Sequence, residues 1–169
     1  MGCSNLSMLR KTGTNADSDE CYTPPEAIFP LLRYIDKSKI WYEATSGTSN
    51  SIVKCMQTKG FKAIESSVDF FDYNNEYDGI ITNPPYSQKD KFLKRCYELG
   101  KPFALLLPVS SIQGIARGKL FIKHGVQLLV LSKRIDFTGK GNPHFGVAWF
   151  CSGILPEQMI FSGGHGSTS

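Results

Sequence analysis

Short runs of β-branched and apolar residues alternate along this chain with segments of helical periodicity, and that alternation restricts the fold more than any other feature. Thr23-Pro24-Pro25-Glu26 reads as a capping box in which Thr23 caps, Pro24 takes the first helical position and Glu26 reaches back. Ala27, Ile28, Leu31, Leu32 and Ile35 follow at helical spacing, which predicts a helix over 24–36. A short run from Lys39 to Ala44 then predicts a strand, Thr45 to Asn50 a polar turn, and Ile52, Val53 and Met56 a helix stopped by Gly60. Phe61–Glu65 and Gly79–Thr82 read as strands, the second bounded by turn formers as buried parallel strands usually are. Ser87 is placed to cap a helix whose Phe92, Leu93, Cys96 and Tyr97 share one face, with Gly100 beyond its end. Phe103–Leu107, Val126–Leu131 and Gly146–Cys151 read as strands, Ile112–Lys123 as a helix, and Met159–Phe161 as a last edge. The pattern predicts an α/β fold built on a mostly parallel, doubly wound sheet with ligands at the carboxyl ends of its strands. Its last two long strands, joined by the turn-rich segment from Thr138 to Pro143, should run antiparallel.

With 169 residues, the chain suits one domain, expected over 21–161, with polar tails at 1–20 and 162–169. Hydrophobic residues at 41% and charged residues at 20% argue against disorder and coiled coil. The five cysteines are widely spaced and never form C-x-x-C, so a reducing, cytoplasmic setting is expected, with no disulfide framework or zinc finger. The longest apolar runs fall far short of the roughly 18 residues that span a bilayer, so no membrane is expected. A net charge of +4 suits a polyanionic partner without requiring one.

Asn83-Pro84-Pro85-Tyr86 carries the chemistry. It follows an apolar strand directly and precedes a helix, which puts it where such folds bind ligands. An exocyclic aromatic amine is a poor nucleophile because its lone pair is delocalised into the ring. The Asn83 side-chain oxygen and the Pro84 carbonyl can each accept one amine hydrogen, leaving the lone pair aimed at an electrophile. Pro84 and Pro85 stiffen the backbone that presents the carbonyl, and Tyr86 offers a flat surface for a base. An adenine in a duplex must flip out to reach it. The alternative is a rigid turn in which Asn83 bonds its own backbone.

Here the sequence resembles the adenine-N6 methyltransferases of the S-adenosylmethionine-dependent, Rossmann-like class I group, over about residues 20–161. Its look-alikes are small single-domain enzymes of bacterial viruses. Tyr22-Thr23-Pro24-Pro25-Glu26, Tyr42-Glu43-Ala44-Thr45-Ser46-Gly47-Thr48-Ser49, Asp69-Phe70-Phe71 and Asn83-Pro84-Pro85-Tyr86 carry the resemblance, in that order. It implies S-adenosyl-L-methionine as cofactor, with Tyr22, Thr23 and Pro24 against its methionine end. Glu43 would meet the ammonium, the Thr45 to Gly47 loop would approach the sulfonium side, Asp69 would take the adenine amine, and Phe70 would pack on that ring. Glu65 is the nearest carboxylate for the ribose hydroxyls, with Ser67 as the other candidate. The usual Glu-Pro-x-x-Gly-x-Gly is altered, because Ala44 replaces the proline and Ser49 the second glycine.

Arg134 to Phe145 is similar to the family's second wall of the target pocket. Phe145 or His144 would stack on the flipped base opposite Tyr86, and Arg134 and Lys140 would contact phosphate. A solvated hairpin with Phe137 and Phe145 in the core is the other reading. Lys89, Lys91, Lys94, Arg95, Arg117, Lys119 and Lys123 form a candidate basic rim. The resemblance implies methyl transfer to the N6 amine of adenine, in DNA before RNA, with no metal. A non-catalytic nucleic-acid-binding module is the alternative of a different class.

Overall fold

The computed structural model describes residues 22–45, 51–141 and 143–163. The expected tail at 1–20, all but Ser162 and Gly163 of the tail expected at 162–169, and Gly47 and Ser49 in the loop after the first strand lie outside the described residues. Strand β1 (Ile40–Glu43) is followed by α2 (Ser51–Thr58), β2 (Lys62–Glu65), β3 (Gly79–Thr82), α3 (Lys89–Leu99), β4 (Phe103–Pro108), α4 (Ile115–His124), β5 (Gln127–Val130), β6 (Val147–Ser152) and β7 (Met159–Phe161). Helix α1 (Pro25–Leu32) precedes them all. The strands form one sheet in the order β2-β1-β3-β4-β6-β5-β7. Neighbours β2, β1, β3 and β4 are parallel, β6 runs antiparallel to both β4 and β5, and β7 pairs parallel with β5 as the outer edge.

Alternation of side chains along these strands builds two cores, one on each face of the sheet. Trp41, Ile81, Ala104, Leu106, Leu129 and Trp149 pack with Ala27, Ile28 and Leu31 of α1 and Ile52, Val53 and Met56 of α2. Tyr42, Ile80, Phe103, Leu105, Leu107, Leu128 and Phe150 pack on the other face with Phe92, Leu93 and Cys96 of α3. Strand β4 is buried at all six positions because helices cover both of its faces, which explains its unbroken apolar run. Trp149 joins sheet to helix, donating its indole N–H to the Ala27 carbonyl at 2.7 Å. Gly79 sits where a side chain has no room: a Cβ there would lie 2.3 Å from the Trp41 ring and 2.9 Å from the Pro102 carbonyl.

Four local expectations change. Helix α1 stops at Leu32 rather than at residue 36. Pro30 is accommodated inside it, and beyond Leu32 the chain closes with Tyr34 and Ile35 bonding three residues back. The capping position of α1 is Pro24, without a side-chain cap, so Thr23 is not the cap. Ser87 is not a cap either, because a 3₁₀ turn over Tyr86–Gln88 comes first and α3 opens after Gln88. The segment from Ile112 divides into a 3₁₀ turn (Val109–Ile112) and α4, with Gly114 between them at φ 155°.

Candidate active site

The parallel strands deliver their carboxyl ends to one edge of the sheet, and the singled-out segments converge there. Glu43 ends β1, Glu65 ends β2 as its register partner, and Thr82 ends β3 immediately before Asn83. Phe145 and Gly146 lead into β6 on the same edge, since β6 is antiparallel, and the Gly146 carbonyl accepts the N–H of Val109 at the end of β4.

A buried polar cluster ties the first three strand ends together. Glu43 is 5% exposed, and its Oε1 accepts the Thr45 backbone N–H at 2.9 Å and the Thr82 hydroxyl at a short distance. The Thr45 hydroxyl lies 2.9 Å from the same oxygen, 2.6 Å from the Thr82 hydroxyl and 3.2 Å from the Asn83 carbonyl oxygen. Burial pushes the Glu43 carboxyl up to about 7, with Glu65 adding to the rise, while the bonds from Thr82 and Thr45 pull the other way. One proton therefore separates a neutral from an anionic cluster near neutral pH.

Asn83 leaves this cluster toward α1. Its side-chain nitrogen donates to the Thr23 hydroxyl at 3.1 Å, and the Thr23 backbone N–H donates to the Ser51 hydroxyl at 3.0 Å. Thr23 thus departs from its expected capping role because a partner 60 residues later in the chain takes its hydroxyl. Tyr22 is exposed and Pro24 half-buried beside it. Thr82 and Ser51 were missed by sequence reasoning. For Thr82 the signal was present: a hydroxyl ends an otherwise apolar strand directly before Asn83.

Tyr86 and Phe145 meet edge to face with ring centres 5.9 Å apart, so two residues expected to form opposite walls are brought together. His144, Arg134 and Lys140 are exposed. The loop carrying Lys140 is folded around Asp136, whose carboxylate accepts the Thr138 hydroxyl at 2.7 Å, the Thr138 N–H at 2.9 Å, the Gly139 N–H at 3.1 Å and the Gly141 N–H. Those bonds hold the Asp136 carboxyl below its ordinary value, the Thr138 hydroxyl foremost. Phe137 is core, and Phe145 is half-buried against it, between the two readings made for this segment.

Two assignments are corrected. Phe70 is 3% exposed, stacked on Phe92 at 5.0 Å and packed against Tyr42 and Phe71, which makes it a core residue and not an open platform for a ring. Asp69 beside it is exposed and accepts the Phe71 N–H at 2.9 Å. Arg117 does not belong to a free basic rim. Its guanidinium bonds the Ser111 carbonyl at 2.7 Å, Asp90 at 2.6 Å and the Gln113 carbonyl, tying the turn after β4 to the start of α3. Lys91, Lys94, Lys119 and Lys123 line a groove of about 630 Å³ between α3 and α4. Lys89 is turned back to the Tyr86 carbonyl at 3.1 Å, where it steadies the turn rather than facing a phosphate.

Among the described residues no cluster of His, Cys, Asp or Glu could hold a metal ion, and no helix is long and apolar enough to cross a membrane. Cys55, Cys96 and Cys151 are free thiols. Burial pushes all three up, so none is an activated nucleophile.

No family model and no curated protein sequence matches the chain. Solved structures do. One, from Pyrococcus horikoshii and provisionally assigned as an RNA methyltransferase, is 13% identical, covering 89% of this chain and 96% of that one at a TM-score of 0.54. Another, from Listeria monocytogenes and provisionally assigned as a class I S-adenosylmethionine-dependent methyltransferase, is 14% identical, covering 92% of this chain and 69% of that one at a TM-score of 0.55. At such identity the likeness is one of fold: the chain has the Rossmann-like class I methyltransferase fold, with its polar cluster on the edge where parallel strands end.

Proposed function

We propose that the protein is an S-adenosylmethionine-dependent methyltransferase acting on the N6 amine of adenine in DNA. The observation that carries the reading is the position of Asn83-Pro84-Pro85-Tyr86, directly after the buried parallel strand β3 and joined to Glu43 through Thr45 and Thr82. Two acceptors followed by a flat ring are what an exocyclic amine on a planar base requires. Asn83 Oδ1 and the Pro84 carbonyl would accept the amine hydrogens and Tyr86 would support the ring, while Phe145, in edge-to-face contact with Tyr86, would have to swing aside to admit a base between them. The proton released on transfer needs no strong base, because the alkylated amine is acidic enough to lose it to water.

The residues fit the cofactor. Carboxylates end β1 and β2 side by side, suiting an ammonium at Glu43 and ribose hydroxyls at Glu65, and exposed Asp69 can take an adenine amine. Tyr22, Thr23 and Pro24 would border its methionine end, and Thr45 and Gly47 its sulfonium. When bound, S-adenosylmethionine supplies a methyl group already activated on sulfur. Arg134 and Lys140, exposed beyond β5, would meet phosphate, with His144 beside the base.

The test is incubation with methyl-labelled S-adenosylmethionine and, in parallel, unmethylated duplex DNA, single-stranded DNA and total RNA. Melting is measured with saturating S-adenosylhomocysteine alongside. Label in DNA is expected. Label in RNA alone moves the substrate, stabilisation without label overturns the catalytic reading on these polymers, and no stabilisation overturns the cofactor assignment.

A further inference from the structure

We infer that the groove between α3 and α4 is a docking site for an acidic amphipathic helix of a partner protein. The inference starts from a helix that the fold leaves uncovered. Helices α1, α2 and α3 each bury three residues, whereas α4 buries none. Leu120 and Phe121 are half-buried and pack α4 against the core beneath it. Ile115 is 86% exposed, and Ile122, two turns on along the same side of the helix, is 89% exposed. A single apolar side chain on a surface is ordinary, but two large ones at the helical repeat, on a helix that borders a groove, form one apolar face.

The groove, of about 630 Å³, carries Ile115, Ala116 and Leu120 on its apolar side and Lys91, Lys94, Lys119 and Lys123 around them. Its acid, Asp90, is held by Arg117 at 2.6 Å, so that pair is neutral and leaves the lysine charges uncompensated. Lys94 also meets Glu98, but at 3.9 Å and in the open, where such a pair is worth little. A second copy of the chain docking here about a twofold axis would set lysine rim against lysine rim. A nucleic acid would satisfy the lysines but would leave Ile115 against phosphate, and no aromatic ring lines the groove to stack a base. A helix with apolar residues at i, i+3, i+4 and i+7 and glutamates on its flanks satisfies both halves of the surface: its apolar face covers Ile115, Ala116 and Leu120, and its carboxylates lie opposite the lysines. Both helices follow strands that end on the catalytic edge, so the groove begins on the edge that carries Asn83-Pro84-Pro85-Tyr86.

The probe is a fluorescein-labelled peptide of about four helical turns, with leucines on one face and glutamates on the flanks, titrated with the full chain by anisotropy. A shuffled peptide of the same composition has the charge without the apolar face, and a third peptide carries lysines in place of the glutamates. Expected is saturable binding of the first peptide, at least about tenfold tighter than the shuffled one and weakened by added salt, with no binding of the lysine peptide. Ile115→Ser should weaken binding about tenfold. Lys91→Glu combined with Lys119→Glu should abolish it and admit the lysine peptide instead. All three positions are exposed, and melting curves that match the parent's check that the variants fold. If the double variant does not fold, Ile115→Ser decides, since unchanged affinity there refutes the inference. Equal affinity for the shuffled peptide shows charge attraction alone and overturns it, as does no binding at about millimolar protein. Duplex DNA whose binding is lost in the lysine double variant, and which the leucine peptide does not displace, assigns the groove to nucleic acid and overturns the inference. So does concentration-dependent dimerisation in sedimentation that Ile115→Ser removes, which assigns the groove to a second copy.

Discussion

Replacing Glu43 by glutamine should flatten the pH dependence of folding stability. In the folded protein the Glu43 carboxyl is pushed up to about 7 from an ordinary 4.5, chiefly by burial. Between those values the folded state keeps a proton that the unfolded state has lost. The stability tied to that proton is complete below about pH 4.5 and is lost as pH rises through 7. Each factor of ten in proton affinity is about 1.4 kcal/mol, so ionising the folded cluster costs about 3 kcal/mol. Glutamine keeps an acceptor oxygen for Thr45 and Thr82 but has no charge to bury. Urea unfolding of both proteins at pH 5 and pH 8.5 isolates Glu43 together with its coupling to Glu65, because titrating groups that do not interact with Glu43 cancel in the comparison. The parent should lose about 2 to 3 kcal/mol more than Glu43→Gln between the two pH values. Parallel losses would refute the argument, showing that the carboxylate is hydrated or paired in the folded state. Glu65→Gln should shrink the parent's loss, since Glu65 contributes to the rise.

Two further substitutions test the packing that places the site. Gly79→Ala drives a methyl into Trp41 and the Pro102 carbonyl, and Trp41 is itself held by its indole bond to the Asp36 carbonyl at 2.9 Å. It should cost about 1 to 3 kcal/mol in urea unfolding, and a loss below about 0.5 kcal/mol would mean that β1 and β3 approach less closely. Arg117→Gln should release the turn after β4, seen as faster hydrogen exchange at Val109 to Gln113 with little change in β4 itself, and unchanged exchange there would show that the turn is held by other contacts.

The fold was legible where its causes are local. Gly79–Thr82 reads as a buried strand because four consecutive core positions leave no polar face, and Asn83-Pro84-Pro85-Tyr86 is legible because its chemistry lies in adjacent residues. What the sequence concealed depends on distant partners. Thr23 has the local pattern of a helix cap, and only the placement of β3 beside α1 brings Asn83 to its hydroxyl. Arg117 looks like an ordinary charge on a helix until the chain folds Ser111, Gln113 and Asp90 around it. Phe70 is expected as a platform for the cofactor ring, and Phe92, more than twenty residues on, stacks on it within the core. Helix α1 gives way after Leu32 to bonds three residues back although the apolar spacing runs on, because spacing records which faces are buried and not how the N–H groups are paired.

The account's central claim is that Asn83 presents an acceptor to the N6 amine of adenine. It is tested most directly by digesting DNA to nucleosides after incubation with methyl-labelled S-adenosylmethionine, comparing the parent protein with Asn83→Ala at equal S-adenosylhomocysteine occupancy. The account predicts label in N6-methyladenine from the parent and at least a hundredfold less from the variant, on the scale of a lost positioned contact to the reacting group. Label in another base, or equal label from Asn83→Ala, would contradict it.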